Sequence, residues 1–248
     1  MRVAIVQLCS TDDLAGNLDR AAQGIAEAAA RGAGFVALPE NFAYMRREGG
    51  PFPCAQGPDG EIVRALSSWA REHAIWLLGG TFPEAIPDDD RVYNTSTLFS
   101  PEGREVARYR KMHLFDVQLG PDEADGYRES THFAPGEAPI VAETPFGGVG
   151  MTVCYDLRFP ELFRRAVREG ANLFTVSANW PDARLHHWKT LLEARAIENL
   201  AYVAGVNRVG ADPSYRYPGG SRIVDHHGRV VAEAGDSEKV LSATLDYG

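Results

Sequence analysis

The sequence predicts an α/β fold of two mixed sheets packed face to face, with helices outside. Three observations predict it. Strand-like and helix-like patterns alternate along the 248 residues. The order occurs in two similar halves, roughly β-α-β-α-β-β and then β-β-α-β-α-β-β-β, without an internal sequence repeat. No linker-like stretch divides them, so residues 1–248 read as a single domain, long enough for a substantial core.

Residues 3–8 (VAIVQL) form an apolar run of strand length. Leu18, Ala21, Ala22, Ile25 and Ala29 then recur at helical spacing, with Asn17 as a cap and Gly32 as the stop. Residues 35–38 (FVAL) make the next strand and run into Pro39-Glu40-Asn41. A Gly/Pro-rich loop covers about 46–60, after which Asp59 caps a helix carrying Ile62, Leu66 and Trp69 on one face. Residues 75–78 form a strand. Residues 93–99 and 105–110 alternate around Ser100-Pro101-Glu102-Gly103, a hairpin signal, and Lys111 follows as the second strand ends. From 112 to about 139 no regular pattern is visible, and so long a loop in a compact domain is usually functional or mobile.

The second half opens with a hairpin turning at 145–148. A strand ends at Cys154, and a helix with Pro160 in its first turn follows, ended by Gly170. Further strands fall at 173–177, 202–206, 221–224, 229–232 and 240–245. A helix spans about 187–200.

Bulk composition excludes several classes. Lys and Arg number 25 against 34 Asp and Glu, and this net charge of −9 argues against nucleic acid or an anionic membrane as partner. No apolar run approaches membrane-spanning length, and the N-terminal run is too short for a signal peptide. Cys9, Cys54 and Cys154 make no disulfide framework, which points to a reducing, cytoplasmic setting. The sequon Asn94-Thr95-Ser96 reads as chance in such a chain. The pairs His186-His187 and His226-His227 lack the i, i+4 spacing of two metal ligands on one helix face, and no P-loop, GxGxxG, GxSxG or CxxC motif is present.

The chemistry lies at strand ends. Glu40, Lys111 and Cys154 each fall where a predicted strand stops, the edge at which open α/β folds bind ligands. A thiolate there can attack an acyl carbon, with Glu40 as proton carrier. Lys111 and the Tyr155 backbone N–H would hold the oxyanion. Each residue also has a bland reading. A lone cysteine is more often core filler, a given glutamate is more often solvated, and Arg108-Tyr109-Arg110-Lys111 could be a basic surface run. Cys9 and Cys54, without such partners, read as structural or incidental.

Five segments in order add a resemblance: AIVQL; ALPEN around Glu40; YRKMHLFD around Lys111; VCYDLRFPELFR around Cys154; and SANWP followed by HWKTLLEARAIENLAYVAGVNRVG. Over nearly its whole length the sequence resembles the carbon–nitrogen hydrolase (nitrilase) superfamily. The resemblance implies a four-layer α-β-β-α sandwich, homodimers that stack into eight layers, no cofactor and no metal. It maps the catalytic triad onto Glu40, Lys111 and Cys154, and an accessory glutamate onto Glu129 in YRESTHFAPG. True nitrilases tend to carry Trp-Glu after the cysteine, where this chain has Tyr155-Asp156. The run from ANWPDARLHHW to ARAIENLAYVAGVNRVG most resembles bacterial ω-amidases, which cleave the terminal amide of 2-oxoglutaramate. Such chains usually continue past Leu245-Asp246-Tyr247-Gly248 into a tail that supports the dimer, and this sequence stops there.

A carboxylate-bearing substrate needs a cation, and Arg184 on the ANWPDAR loop is the candidate. Phe42, Phe115 and Trp180 are candidate apolar walls. Arg158 is either a second binding residue or a structural partner of Asp156 or Glu161. The alternatives are an N-carbamoyl amino acid hydrolase or another small-amide amidase, and a non-catalytic binding protein of the same fold, against which the intact triad speaks.

Overall fold

The computed structural model describes residues 1–46, 52–118, 126–212 and 215–246. Parts of the loops expected at 46–60 and 112–139 and the last two residues of the chain lie outside them. The strands are β1 (Arg2–Gln7), β2 (Phe35–Ala37), β3 (Trp76–Leu78), β4 (Phe82–Ala85), β5 (Val92–Phe99), β6 (Glu105–Arg110), β7 (Asp116–Gln118), β8 (Gly126–Arg128) and β9 (Phe133–Ala134) in the first half. In the second half they are β10 (Ile140–Thr144), β11 (Gly147–Val153), β12 (Ala171–Ala178), β13 (Tyr202–Asn207), β14 (Val209–Ala211), β15 (Arg216–Pro218), β16 (Arg222–Val224), β17 (Val230–Glu233) and β18 (Lys239–Thr244). The helices are α1 (Leu14–Ala30), α2 (Glu61–Glu72), α3 (Pro160–Arg168) and α4 (Leu185–Asn199).

Two mixed sheets result. One runs β18-β1-β2-β3-β5-β4, with β6 and β9 also paired to β5, and the other runs β10-β11-β12-β13-β16-β17. The chain closes on itself, because β18 returns to lie antiparallel to β1, Val6 opposite Val240. Between the sheets lies a core in which Ile5, Phe35 and Leu98 from the first meet Val149, Met151 and Val206 from the second. A second core places Ala21, Ile25, Ile62 and Leu66 of α1 and α2 on the outer face of the first sheet. A third places Phe163, Trp188 and Leu192 of α3 and α4 on the outer face of the other. These three cores separate four layers, α-β-β-α, as expected.

Local chemistry explains the elements and three departures. The turn Ser100–Gly103 closes β5 and β6 as predicted, with Gly103 at φ +75° and its N–H donating to the Ser100 carbonyl at 2.8 Å. The cap of α1 is Asp13, whose carboxylate accepts from the Gly16 N–H, and not Asn17. Asn17 is buried one turn later and spends its amide on the carbonyls of Thr11 and Ala43. For α2 the cap is Gly60, not Asp59, and the side chain of Gln56 accepts from the Ile62 N–H at 2.7 Å.

The third departure is Phe42. Asn41 adopts φ +51°, which turns the chain directly after Glu40. Phe42 is thereby fully buried in the core beneath α1 and α2 and is not part of the wall expected of it. Phe42→Ala is accordingly expected to cost about 3–5 kcal/mol of stability by leaving a cavity. Chemical denaturation measures it, and a loss below about 1 kcal/mol would be inconsistent with this packing.

Candidate active site

The parallel strands β2, β11 and β12 and the end of β6 deliver their following residues to one cavity of about 350 Å³. Glu40, Lys111, Glu129 and Cys154 meet there. Lys111 is 2% exposed, and its ammonium lies 3.2 Å from Glu40 Oε1 and 2.9 Å from both oxygens of Glu129. An amine so enclosed cannot be part of a solvated basic run. Its neighbours Arg108 and Arg110 do not point outward alone either, since both pair with the buried Glu84.

Glu40 is held from three directions. Lys111 donates to Oε1, the Asn94 amide donates to Oε1 at 2.8 Å, and the Asn179 backbone N–H donates to Oε2 at 2.8 Å. Asn94, 1% exposed, is therefore a positioning residue that sequence reasoning passed over as a chance sequon. Glu129 begins a 3₁₀ turn inside the stretch that showed no pattern, and the Phe115 N–H donates to its Oε2 at 2.6 Å.

Cys154 follows β11 at φ +46°, a left-handed conformation that costs a non-glycine residue about 1–3 kcal/mol. Such strain persists where the surroundings over-determine it. Here the turn Cys154–Arg158 is fixed by Asp156, whose carboxylate accepts from the Val153 N–H at 2.9 Å. The following amide, that of Tyr155, sits in the first turn of this 3₁₀ segment, where N–H groups lack intrahelical partners.

The charges set the titration. Burial pulls the Lys111 ammonium down, but the Glu129 and Glu40 charges outweigh it and hold its pKa well above the usual value. Burial raises the Cys154 thiol far above its ordinary range. Glu40 adds to that effect, while Lys111 and the Asn179 N–H oppose it. Burial likewise raises Glu129, against the pull of Lys111. A thiol raised in this way would need a base to act as a nucleophile, and Glu40 is the carboxylate whose charge acts on it. Cys54 is different. Burial raises its thiol to about 11 with no charged partner acting on it, which fits a structural role.

The outer cavity is aromatic and cationic. Phe115, Tyr155 and Trp180 line it, as do Phe52, Tyr127 and Phe133, which were not anticipated. Trp180 is itself anchored, its indole donating to the Arg184 carbonyl at 2.7 Å. Arg184 lies over the Phe115 ring at 5.7 Å, and Arg158 lies over Trp180 at 5.0 Å. Arg158 donates to His187, and among the described residues it makes neither of the ion pairs, with Asp156 or Glu161, that the structural alternative expected. Burial draws its pKa down, and the positive charge of Arg184 acts in the same direction. Among the described residues neither guanidinium has a carboxylate partner. Arg46, Asp212 and Tyr217 complete the rim. Among the described residues no group of three His, Cys, Asp or Glu side chains is arranged to hold a metal ion.

The carbon-nitrogen hydrolase family model matches residues 2–248. The chain belongs to the carbon–nitrogen hydrolase family. Its members cleave carbon–nitrogen bonds, so this chain is a hydrolase acting on non-peptide C–N bonds. It is 38% identical to the omega-amidase NIT2 of Xenopus tropicalis over 99% of this chain and 88% of that protein. It is 36% identical to a deaminated glutathione amidase of Synechocystis, over 98% of this chain and 90% of that protein. The crystal structure of Saccharomyces cerevisiae Nit3, a member of branch 10 of the nitrilase superfamily, superposes with a TM-score of 0.89. It is 34% identical and covers all of this chain and 90% of its own. The α-β-β-α sandwich is therefore the nitrilase fold, and the thiol, carboxylates and amine at its strand ends occupy one cavity of a carbon–nitrogen hydrolase.

Proposed function

We propose that the chain hydrolyses the terminal amide of a small 2-oxo acid, in the manner of an ω-amidase, with 2-oxoglutaramate as the reference substrate. The observation that carries this reading is the pair of guanidiniums, Arg158 and Arg184, which have no carboxylate partner among the described residues and lie on a cavity that also holds the thiol. A planar guanidinium binds carboxylate through two parallel hydrogen bonds. Relatives named for omega-amidase and deaminated glutathione amidase activity support the same class.

Glu40 takes the proton of Cys154, and the sulfur attacks the amide carbon. Lys111 and the Tyr155 N–H hold the oxyanion, and Glu129 orients Lys111. Glu40 returns its proton to the departing ammonia as the thioester forms. It then takes a proton from water, whose oxygen attacks the thioester; the C–S bond breaks, the acid leaves, and Glu40 passes that proton to the departing sulfur to restore the thiol. Arg184, with Arg158 beside it, binds the distal carboxylate, while Phe115, Trp180 and the Tyr155 ring pack against the carbon chain.

Ammonia release from 2-oxoglutaramate, glutamine and N-carbamoyl-β-alanine tests the class. 2-Oxoglutaramate is expected to lead glutamine by at least about tenfold in kcat/KM, because the α-ammonium of glutamine faces two guanidiniums. Carbon dioxide release from the carbamoyl compound at a higher kcat/KM would shift the reading to a carbamoylase. Arg184→Ala is expected to raise KM for 2-oxoglutaramate roughly 10- to 100-fold, the worth of a hydrogen bond to a charged group. An unchanged KM would remove Arg184 from the carboxylate site.

The full chain acts as one catalytic domain and as a homodimer, supported by the exposed Ile197 and Leu200 at the end of α4. Light scattering in solution checks this, and a monomer would refute it. The three cysteines, all unpaired, support a cytoplasmic location. Among the described residues no helix is long and apolar enough to cross a membrane.

A further inference from the structure

One buried carboxyl group joins the segment carrying the amine to the segment carrying the sulfur. Asp156 is fully buried and collects four hydrogen bonds. Its Oδ2 accepts from the Tyr109 hydroxyl at 2.6 Å and from the Val153 N–H at 2.9 Å. Its Oδ1 accepts from the His113 N–H at 3.0 Å and faces His113 Nδ1 at 2.7 Å. Tyr109 and His113 stand two residues before and two residues after Lys111, and Val153 and Asp156 bracket Cys154. The Tyr109 hydroxyl also accepts from the Met112 N–H at 3.3 Å, so the two peptides after Lys111 both end on this cluster. The His113 ring stacks on Phe159 with centroids 3.7 Å apart, at the far end of the same 3₁₀ turn. No reacting atom is involved, since Tyr109 and Asp156 lie outside the cavity wall.

We propose that Asp156, gripped by Tyr109 and His113, is the positioning residue that fixes the separation of the Lys111 amine from the Cys154 sulfur. The proposal rests on the reading of Cys154 as nucleophile and adds to it a cause for the geometry. A carboxyl group with all four acceptor positions filled tolerates no rotation, and it acts across two chain segments at once. Without it the strained Cys154 backbone loses its brace, and the amine loses the anchor on either side. A misplacement of about 1 Å at a reacting pair costs about 100-fold in rate.

The test separates positioning from mere packing. Asparagine can present an N–H near the place of His113 Nδ1, whereas alanine cannot, and both lose the stack on Phe159. His113→Ala is expected to lower kcat at least about tenfold with KM within twofold, and His113→Asn to retain kcat within about threefold. Tyr109→Phe keeps the buried ring and removes one donor, and is expected to lower kcat about tenfold, again at constant KM. Asp156→Asn is expected to lose about 100-fold. Should it fail to fold, the two donor variants decide the matter. Wild-type kcat in His113→Ala and Tyr109→Phe, equal losses in the two His113 variants, or losses appearing in KM alone would overturn the proposal. Cys154→Ala, assayed alongside, shows separately whether the nucleophile itself is correctly assigned.

Discussion

Lys111→Met is expected to remove both activity and several kcal/mol of stability. The ammonium is 2% exposed and stands between two carboxylates that are themselves buried, Glu40 and Glu129. Methionine fills the space but leaves both acids without their cation. Breaking a buried ion pair from one side costs about 3–5 kcal/mol, because the remaining charge is uncompensated. In the mechanism proposed above, the oxyanion loses a donor at the same time, which costs about 10²- to 10³-fold in rate. The thiol pKa also moves further up, since Lys111 is the charge that holds it down. Chemical denaturation and turnover of 2-oxoglutaramate measure the two losses. A stable, half-active Lys111→Met protein would show that the amine serves neither role.

Glu40→Gln separates the base from the field it creates. In the mechanism proposed above, the variant leaves the thiol without its proton acceptor and the ammonia without its donor, and loss of such a group typically costs about 10²- to 10⁴-fold. The electrostatic effect has the opposite sign. The Cys154 thiol is raised by burial and further by the Glu40 charge, so thiolate appears only as the pH climbs beyond the range of a free cysteine. Glutamine removes that charge, and the pH midpoint for alkylation by iodoacetamide is expected to fall. The variant therefore hydrolyses poorly and forms thiolate at lower pH than the wild type. A midpoint that stays or rises would contradict the arrangement of charges around the sulfur.

The side chains that meet in the cavity at Glu40, Lys111 and Cys154 were legible in the sequence, and most of their supports were not. Glu40, Lys111 and Cys154 each close a strand, and strand ends are visible in the alternation of side chains. Their convergence follows from parallel pairing of β11 with β12 and of β1 with β2, together with the stacking of the two sheets. Glu129 could be placed only by its surrounding motif, because the 3₁₀ turn that carries it has no periodicity to read. Phe42 was misplaced because a single left-handed residue, Asn41, decides which way the next side chain faces. Asn17 and Asp59 fit the composition of a cap, but the caps fell four residues earlier and one residue later, at Asp13 and Gly60. The walls formed by Phe52, Tyr127 and Tyr217 come from segments remote in sequence, which tertiary packing alone brings to the cavity. Asn94 was hidden by a coincidental sequon. The one signal that could have found it is that it sits on β5 opposite the strand leading to Lys111, whose N–H donates to its carbonyl at 2.9 Å.

The sulfur of Cys154 is expected to become acylated during turnover. Intact-mass measurement of the protein, acid-quenched within the first turnovers of 2-oxoglutaramate, reads this directly. The quenched protein is expected to be heavier by the acyl group less the hydrogen of the thiol, with the added mass mapping to the peptide that contains Cys154 and absent from Cys154→Ala. Full turnover by Cys154→Ala, or an adduct on Cys9 or Cys54 in its place, would contradict it.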